Sequence, residues 1–583
     1  MGRFLDVQRS WEATENDLLM QFLETQTKAA ALFSSAQKPR VASSAETASA
    51  KTTPLRRDRP FVGEIQRLVP GLELESRLLL DLSRHLFLSH HAFLNVPEGL
   101  KPVEERLPTL PLTFELEILS EVAEALLPGL RVIACHDLEA KRWICLEGKS
   151  TLEVTIRARR VDDNEVEAEL YTEGDNAPAF RGRATLSVAL PPPPPPLEQV
   201  YDRNCPHTAA EFYGKGPFFH GPMFHLIRSF RAMSDRDVGA ELVAGDPGEY
   251  LAAGRETSLV FEPVLLDALS QIGGYRAWLD GWYTMPVGLK RISLYGPTPA
   301  PGSPIRASLQ YRRLDARRNE SDYEAYDEAG QLWMRVESLQ GWRVLTPKTL
   351  MEANHRPREG YLARPWPVDQ PEITCYRVSS DHLGDIKPEW MARLYLRADE
   401  WAVYKQRPAL NWLLGRIAAK DAVRDWLRQH KGMLLHPLEV EIANQADGAP
   451  RLLIPGMPSL AISIAHLDDE AIAIVCQAQG VGVDLAALKE RGQDFSGFSF
   501  GDDELSSLPQ SSREAWIHRG WCAKEAAVKA FQLGFAALPQ FRIVAVQEKT
   551  GAVEMEYKPG GIKITAATWI DKNRAIAVVV LPS

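Results

Sequence analysis

The chain has 583 residues, 45% hydrophobic and 25% charged, which is the makeup of an ordinary globular protein, and its length leaves room for roughly three or four domains. A formal net charge of -10 excludes a general nucleic-acid binder, whose footprint is basic, so any phosphate site has to be a local patch. Cys135, Cys145, Cys205, Cys375, Cys476 and Cys522 are scattered without a C-x-x-C pair, which points to reduced thiols rather than a disulfide frame or zinc site.

No apolar run approaches the roughly 20 residues of a bilayer span. The start of the chain, with Trp11 among acidic and polar residues, lacks the apolar core of a signal peptide. The expected location is cytoplasmic, with no membrane span and no nucleic acid.

Residues 1–36 are expected to form an amphipathic helix whose apolar members include Phe4, Trp11, Leu19, Phe22 and Phe33. It either docks onto a partner polypeptide or folds back on its own domain. Residues 37–60, rich in Ala, Ser, Thr and Lys, read as a flexible linker.

From 61 to 348 strands and helices alternate. Leu152, Val154, Ile156 and Ala158 face one way on a two-residue period, and Ala184, Leu186, Val188 and Leu190 repeat that pattern. Six prolines at 191–196 give a stiff spacer within an expected linker at 191–200. They separate halves at 61–190 and 201–348. Each half has one strongly apolar helix, Phe114 to Leu127 and Val264 to Leu279, followed by long alternating strands. A helix wrapped by an antiparallel sheet, twice over, is the double hotdog arrangement.

In the second of these helices Asp267 interrupts the apolar run, and Gln271 stands one turn on, on the same face. A buried carboxylate needs a partner, and desolvation favours its neutral form. A protonated Asp opposite a neutral His would make an acid–base couple.

Residues 349–370 carry Pro357, Pro365 and Pro367 and read as a linker. Beyond it, residues 371–583 divide near Gln479 into halves of about 371–479 and 480–583. The stretch Asn411 to Gln429 reads as a helix with Arg416, Lys420, Arg424 and Arg428 on one face. Ser463-Ile464-Ala465-His466 precedes Gly480-Val481-Gly482-Val483-Asp484, a β-rich run that ends in a carboxylate. Trp521 to Ala530 lacks Gly and Pro and is helical, with Glu525 and Lys529 on one face and Lys524 pointing elsewhere. A carboxylate at a strand end and another on a helix suit a hard cation such as Mg²⁺ together with a substrate phosphate.

This ordered set, covering roughly the last 210 residues, resembles the long, pseudo-dimeric 4′-phosphopantetheinyl transferases. Their S-x-S-H, G-[VI]-D and W-x-x-K-E-x-x-x-K elements match these stretches. The resemblance implies an α+β domain with a pseudo-two-fold axis, and Mg²⁺ held by Asp484, Glu504 and Glu525. It implies coenzyme A phosphates gripped by Arg416, Lys420, His466 and Lys529. Glu525 or metal-bound water would be the base, Lys529 would stabilise pyrophosphate charge, and an acyl carrier protein would be the acceptor in trans. Ala486 stands where many members have another acid.

Residues 75 to 345 resemble the dehydratases of polyketide and polyunsaturated fatty acid synthases. The likeness rests on Leu88 to Leu94, Leu107 to Leu127, Phe219 to Phe224, the Asp267-x-x-x-Gln271 helix, Tyr295-Gly296-Pro297 and Gly330 to Trp342. By resemblance His91 removes the α-proton of a β-hydroxyacyl thioester, and Asp267, with Gln271 beside it, protonates the leaving hydroxyl. Asn95 replaces the family's Gly. His85, His220 and His225 are read as core or surface histidines.

Together these resemblances imply an α+β chain in which a double hotdog dehydratase precedes a phosphopantetheinyl transferase. It would serve a polyketide or lipid synthase whose other subunits are met through the N-terminal helix. The alternatives are a transferase with a catalytically silent hotdog scaffold, and a non-catalytic assembly module.

Overall fold

The computed structural model describes residues 59–97, 99–216, 218–252, 259–344, 348–368, 370, 372–383, 386–445, 448–454, 460–467, 469–488 and 500–582. The helix expected over 1–36 and nearly all of the linker expected over 37–60 lie outside them. The chain forms two compact units. One ends at Leu345; the other begins at Thr346 and also takes in Leu94–Pro102.

In the first unit, helix α1 (Leu112–Leu126) and strand β1 (Arg131–Ala140) belong to one half, and helix α2 (Pro263–Leu279) and strand β2 (Thr284–Leu294) to the other. The described strands form one antiparallel 13-stranded sheet. One half contributes Glu64–Val69, Glu73–Asp81, Thr151–Asp162, Glu165–Thr172, Phe180–Ser187 and then β1. The other continues with β2, Leu332–Arg343, Arg318–Tyr326, Pro304–Arg313, Asp237–Val243, Ile227–Met233 and Arg203–Asn204. The seam is the β1–β2 pairing, with Leu138 opposite Leu289 and Cys135 opposite Ile292.

The two-residue period holds where Val154, Ile156 and Ala158 are buried. It stops at Ser187, because Val188 leaves the sheet and is exposed. The proline run is tied to the second half: Leu197 donates its N–H to Glu324, and Arg335 donates to the Pro195 carbonyl.

Each central helix lies on its own half of the sheet, and the two touch each other. The apolar reading of α1 passed over its carboxylates: Glu115, Glu117 and Glu121 are all buried. They persist because most meet backbone donors that would otherwise be orphaned. Glu117 accepts from Val260 and Phe261 at 2.6 and 2.8 Å, and Glu121 accepts from Phe61 at 2.7 Å. Burial pushes Glu117 up to about 8. These bonds fix the approach to α2, where Pro263 at the first turn and Glu262 at the N-cap start the helix.

The second unit contains helix α3 (Leu410–Lys431), strands β3 (Ala461–His466), β4 (Glu470–Cys476) and β5 (Gly480–Ala487), helix α4 (Arg513–Ala530) and strand β6 (Arg574–Leu581). In a four-stranded sheet β4 pairs with β3 and Thr374–Ser379, and α3 covers it. In a five-stranded sheet β5 pairs with β6, and α4 covers it. Each of these antiparallel sheets is thus covered by one helix.

Candidate active sites

His91 follows the short helix Phe87–His90 and lies against Leu107–Thr109. Thr109 donates its N–H to the His91 carbonyl at 2.9 Å, and His91 Nδ1 donates to the Thr109 carbonyl at 2.7 Å. A carbonyl can only accept, so the proton of the neutral ring sits on Nδ1 and Nε2 keeps its lone pair. Burial first, then the neighbouring His220, pull His91 down to about 4. The ring is therefore held neutral, with Nε2 unprotonated.

Asp267 projects from α2, buried, and its Oδ1 accepts from Gln271 Nε2 at 2.9 Å. Gln271 is itself oriented by Tyr213, whose hydroxyl donates to its Oε1 at 3.2 Å. His220, in the loop before α2, brings Nε2 to 3.2 Å from Asp267 Oδ1. One nitrogen of each histidine and one Asp267 oxygen lie within 4.8 Å of one another.

Two expectations are corrected here. His220 is not a bland core histidine but the third member of the site. Asp267 is not a protonated acid at rest: burial raises it, but His220 and Gln271 outweigh that and the net shift is downward. A histidine before Gly221-Pro222, set among Phe218, Phe219 and Phe224, was the available sequence signal. Neither period nor spacing singled it out. His85, by contrast, is a core residue bonded to Asp81, and His225 stacks on Tyr213. Asn95 groups with the second unit, where its side chain donates to the His355 carbonyl at 3.0 Å.

In the second unit the two glycines of the G-V-G-V-D stretch explain how the site closes. A Cβ on Gly482 would lie 1.8 Å from the Ala526 carbonyl oxygen, and one on Gly480 2.1 Å from that of Ala530. Only bare backbone lets β5 come this close to α4. The approach delivers Lys529 Nζ to Asp484 Oδ1 at 2.7 Å and to the Val483 carbonyl at 3.0 Å. Burial depresses Lys529, but Asp484 and then Glu525 more than reverse it, so its ammonium is held charged. His466, exposed at the end of β3, feels both Lys529 and Asp484. A cleft of about 930 Å³ opens beside Lys529, lined by Gln445, Arg451, Ser463, Val481 and Gln532 among others.

Three expected members stand elsewhere. Glu504 is spent on structure: Lys524 reaches it at 2.7 Å, and the N–H groups of Gly501 and Ile543 donate to it at 2.8 and 2.7 Å. Its oxygens are thus met by one cation and two backbone donors. Lys420 is fully buried, donating to Glu400 at 2.5 Å and to the Tyr395 carbonyl at 2.8 Å. Arg416 is also buried, with Nη2 on Asn444 at 2.7 Å and Nε 3.8 Å from Glu400. The four-residue steps on α3 thus mark a ladder of ion pairs, continued by Arg424 on Asp421 and Arg428 on Asp425. Both Lys420 and Arg416 are thus engaged by Glu400 inside the unit. Lys420→Met should lower stability by about 3 kcal/mol, because it strips a buried Glu400 of its closest cation. Chemical denaturation would read this, and an unchanged midpoint would refute it.

Known proteins resemble the chain in these same segments. Residues 189–347 match the family described as the polyketide synthase dehydratase N-terminal domain, and residues 480–579 the 4′-phosphopantetheinyl transferase superfamily. A holo-[acyl-carrier-protein] synthase of Thermodesulfovibrio yellowstonii is 39% identical over 64 residues, 11% of this chain and 55% of that protein. The chain thus spans about half the length of that curated relative.

Among solved structures, the dehydratase domain from the CurF module of curacin polyketide synthase is 16% identical, with a TM-score of 0.38 over 49% of this chain and 99% of that one. The dehydratase domain of PpsC from Mycobacterium tuberculosis, in complex with C12:1-CoA, is 16% identical with a TM-score of 0.39 over 49% and 99%. The chain thus joins a segment that matches the polyketide synthase dehydratase family to one that matches the 4′-phosphopantetheinyl transferase superfamily.

Proposed function

We propose that the second unit transfers 4′-phosphopantetheine from coenzyme A to the serine of an acyl carrier protein, and that the first dehydrates β-hydroxyacyl thioesters to enoyl thioesters. The observation that carries the transferase reading is the cluster of Asp484, Glu525 and Lys529 where β5 meets α4, beside an open cleft. Asp484 and Glu525 are hard oxygen donors on adjacent elements and fit a Mg²⁺ ion that keeps waters in its shell, with Ala486 adding none. When bound, the ion supplies neutralisation of pyrophosphate charge.

Lys529, anchored by Asp484, directs a fixed positive charge at the cleft, where a phosphate would meet it. His466 would contact a further phosphate. Glu525 or metal-bound water would take the serine proton as the hydroxyl attacks the β-phosphate and 3′,5′-ADP departs. The test is the intact mass of an apo-carrier after incubation with the full chain, coenzyme A and Mg²⁺. A gain of one phosphopantetheine arm supports the reading; no gain with any of several carriers argues against it.

The dehydratase reading rests on His91 Nε2 and Asp267 converging from the two halves of one sheet. His91 takes the α-proton, while the Asp267 side of the site protonates the departing β-hydroxyl. Because His91 is held down to about 4, it stays unprotonated, and able to act as a base, well below the ordinary histidine value of 6.5. The acid limb of kcat/KM for dehydration is therefore expected near pH 4, since that profile reports the free enzyme. A limb at 6.5 would show that the site does not hold His91 down.

Partners follow from the chemistry: a carrier protein met in trans, and the synthase subunits that load and extend it. Among the described residues no helix is long and apolar enough to cross a membrane.

A further inference from the structure

We infer that His91, His220 and Asp267 form a binding site for a divalent ion of the zinc type, and that the ion switches dehydration off by taking the lone pair of His91. The inhibition rests on the dehydratase reading; the metal site does not. The donor atoms are already gathered, because one ring nitrogen of each histidine and one Asp267 oxygen lie within 4.8 Å of one another. His220 Nε2 and Asp267 Oδ1 are 3.2 Å apart. A tetrahedral site with bonds of about 2.0–2.2 Å has ligand-to-ligand edges of roughly 3.3–3.5 Å. One edge is thus near its final length, and side-chain shifts of about 1 Å close the others. The two imidazoles are inclined at 63°, so their nitrogens can converge without the rings meeting face to face.

Each donor also has the outer support that metal ligands need. His91 Nδ1 donates to the Thr109 carbonyl at 2.7 Å, which leaves the Nε2 lone pair free of a proton. Asp267 Oδ1 accepts from the Gln271 amide at 2.9 Å, and the Tyr213 hydroxyl steadies that amide at 3.2 Å. The His220 ring stacks on Phe219 at 4.4 Å, and His225 Nε2 donates to the His220 carbonyl at 2.8 Å. Gly221 donates its N–H to the His90 carbonyl at 2.7 Å, which ties this loop to the other half. Among the described residues nothing meets the buried His220 Nδ1, so only the contact to Asp267 bears on which ring nitrogen holds the proton. A metal ion at Nε2 leaves the single ring proton on Nδ1, the neutral form in which histidine binds metals.

The donor set selects the ion. Two imidazoles and one carboxylate suit Zn²⁺ and its neighbours, and three protein donors leave the fourth tetrahedral position open. Mg²⁺, which the carboxylates of the second unit fit, prefers oxygen throughout and is a poor match here. His91 Nε2 has one lone pair, and a lone pair bound to a metal cannot accept the α-proton. Metal occupancy and dehydration therefore exclude each other.

The test titrates Zn²⁺ alone into the full chain by calorimetry, in the native protein and in three variants. Asp484→Ala should keep the binding event, which separates it from any metal held in the second unit. His91→Phe and His220→Gln should each weaken it by more than about 100-fold, the upper cost of losing a supporting partner only. X-ray absorption of zinc-loaded Asp484→Ala, in which the site is unaltered, should show two imidazole nitrogens at about 2.0–2.1 Å. In the native enzyme, hydration of an enoyl thioester should fall about 10²-fold at saturating Zn²⁺, the worth of the base, and return when EDTA is added. A zinc shell of oxygens alone, or binding undiminished in His91→Phe, would overturn the site. Zinc held by both histidines with hydration at its native rate would overturn the inhibition. Were the two-histidine shell found in a native protein that turned over no thioester, the metal site would stand and the dehydratase reading would fall.

Discussion

Replacing Asp484 with Ala should abolish modification of the carrier, with a loss of at least about 10²-fold in kcat, the scale of removing one fixed electrostatic group from a transferring phosphoryl centre. The loss should exceed that from any single change in the cleft lining, because Asp484 serves two ends. Its Oδ1 fixes the Lys529 ammonium at 2.7 Å, and with Glu525 it is one of two carboxylates available to a metal. Ala486, two residues on, offers no replacement oxygen. The measurement is the rate of mass gain on an apo-carrier at saturating Mg²⁺, followed by a magnesium titration. A variant within about tenfold of native would mean the metal is held elsewhere. Raised magnesium that restored the rate would separate weakened metal binding from a misplaced Lys529.

His91→Phe should silence dehydration by about 10²–10⁴-fold, the usual worth of a positioned general base. Phe preserves the aromatic packing His91 makes with Phe219 and Phe224, at ring separations of 5.0 and 5.5 Å. The change therefore removes a lone pair and little else. It also gives up the bond to the Thr109 carbonyl, so circular dichroism and a melting curve belong beside the assay. The assay can be run backwards, as hydration of an enoyl thioester, so that it does not need the natural acyl chain. Carrier modification should continue at the native rate. Dehydration that survived in His91→Phe would mean that another group serves as the base.

How far the sequence could be read depended on whether a signal was local. The helix holding Glu525 and Lys529 and the strand ending at Asp484 announce themselves by composition, and the structure extends them only to Arg513–Ala530 and Gly480–Ala487. The central helices were legible from apolar runs, within about two residues at each end. What failed was pairing at a distance. Lys420 and Glu504 have charged partners 20 residues away in sequence, Glu400 and Lys524, and nothing in either neighbourhood reveals that the charge is consumed. His220 failed for the opposite reason: its surroundings look like packing, and its role appears only when α2 brings Asp267 beside it. The acidic residues of α1 were missed because a run of Leu, Ile, Val and Ala outweighs a few Glu in any window. Their partners are backbone N–H groups, which carry no side-chain signature.

The β1–β2 seam bears on the robustness of the first unit to mutation. The proposed base, His91, comes from one half and Asp267 from the other, so their alignment is set by how the two halves are sewn together. At Gly288 an added methyl group would stand 2.4 Å from the Leu138 carbonyl oxygen, beside an irregularity in the pairing of β2 with Leu332–Arg343. Even a one-carbon side chain there must push the halves apart or slip them by a residue, and a slip exchanges the two faces of a strand. Enzymatic competence thus has a point of fragility at a position with no chemistry of its own. A drifting lineage could lose dehydration there while every reacting group remained intact.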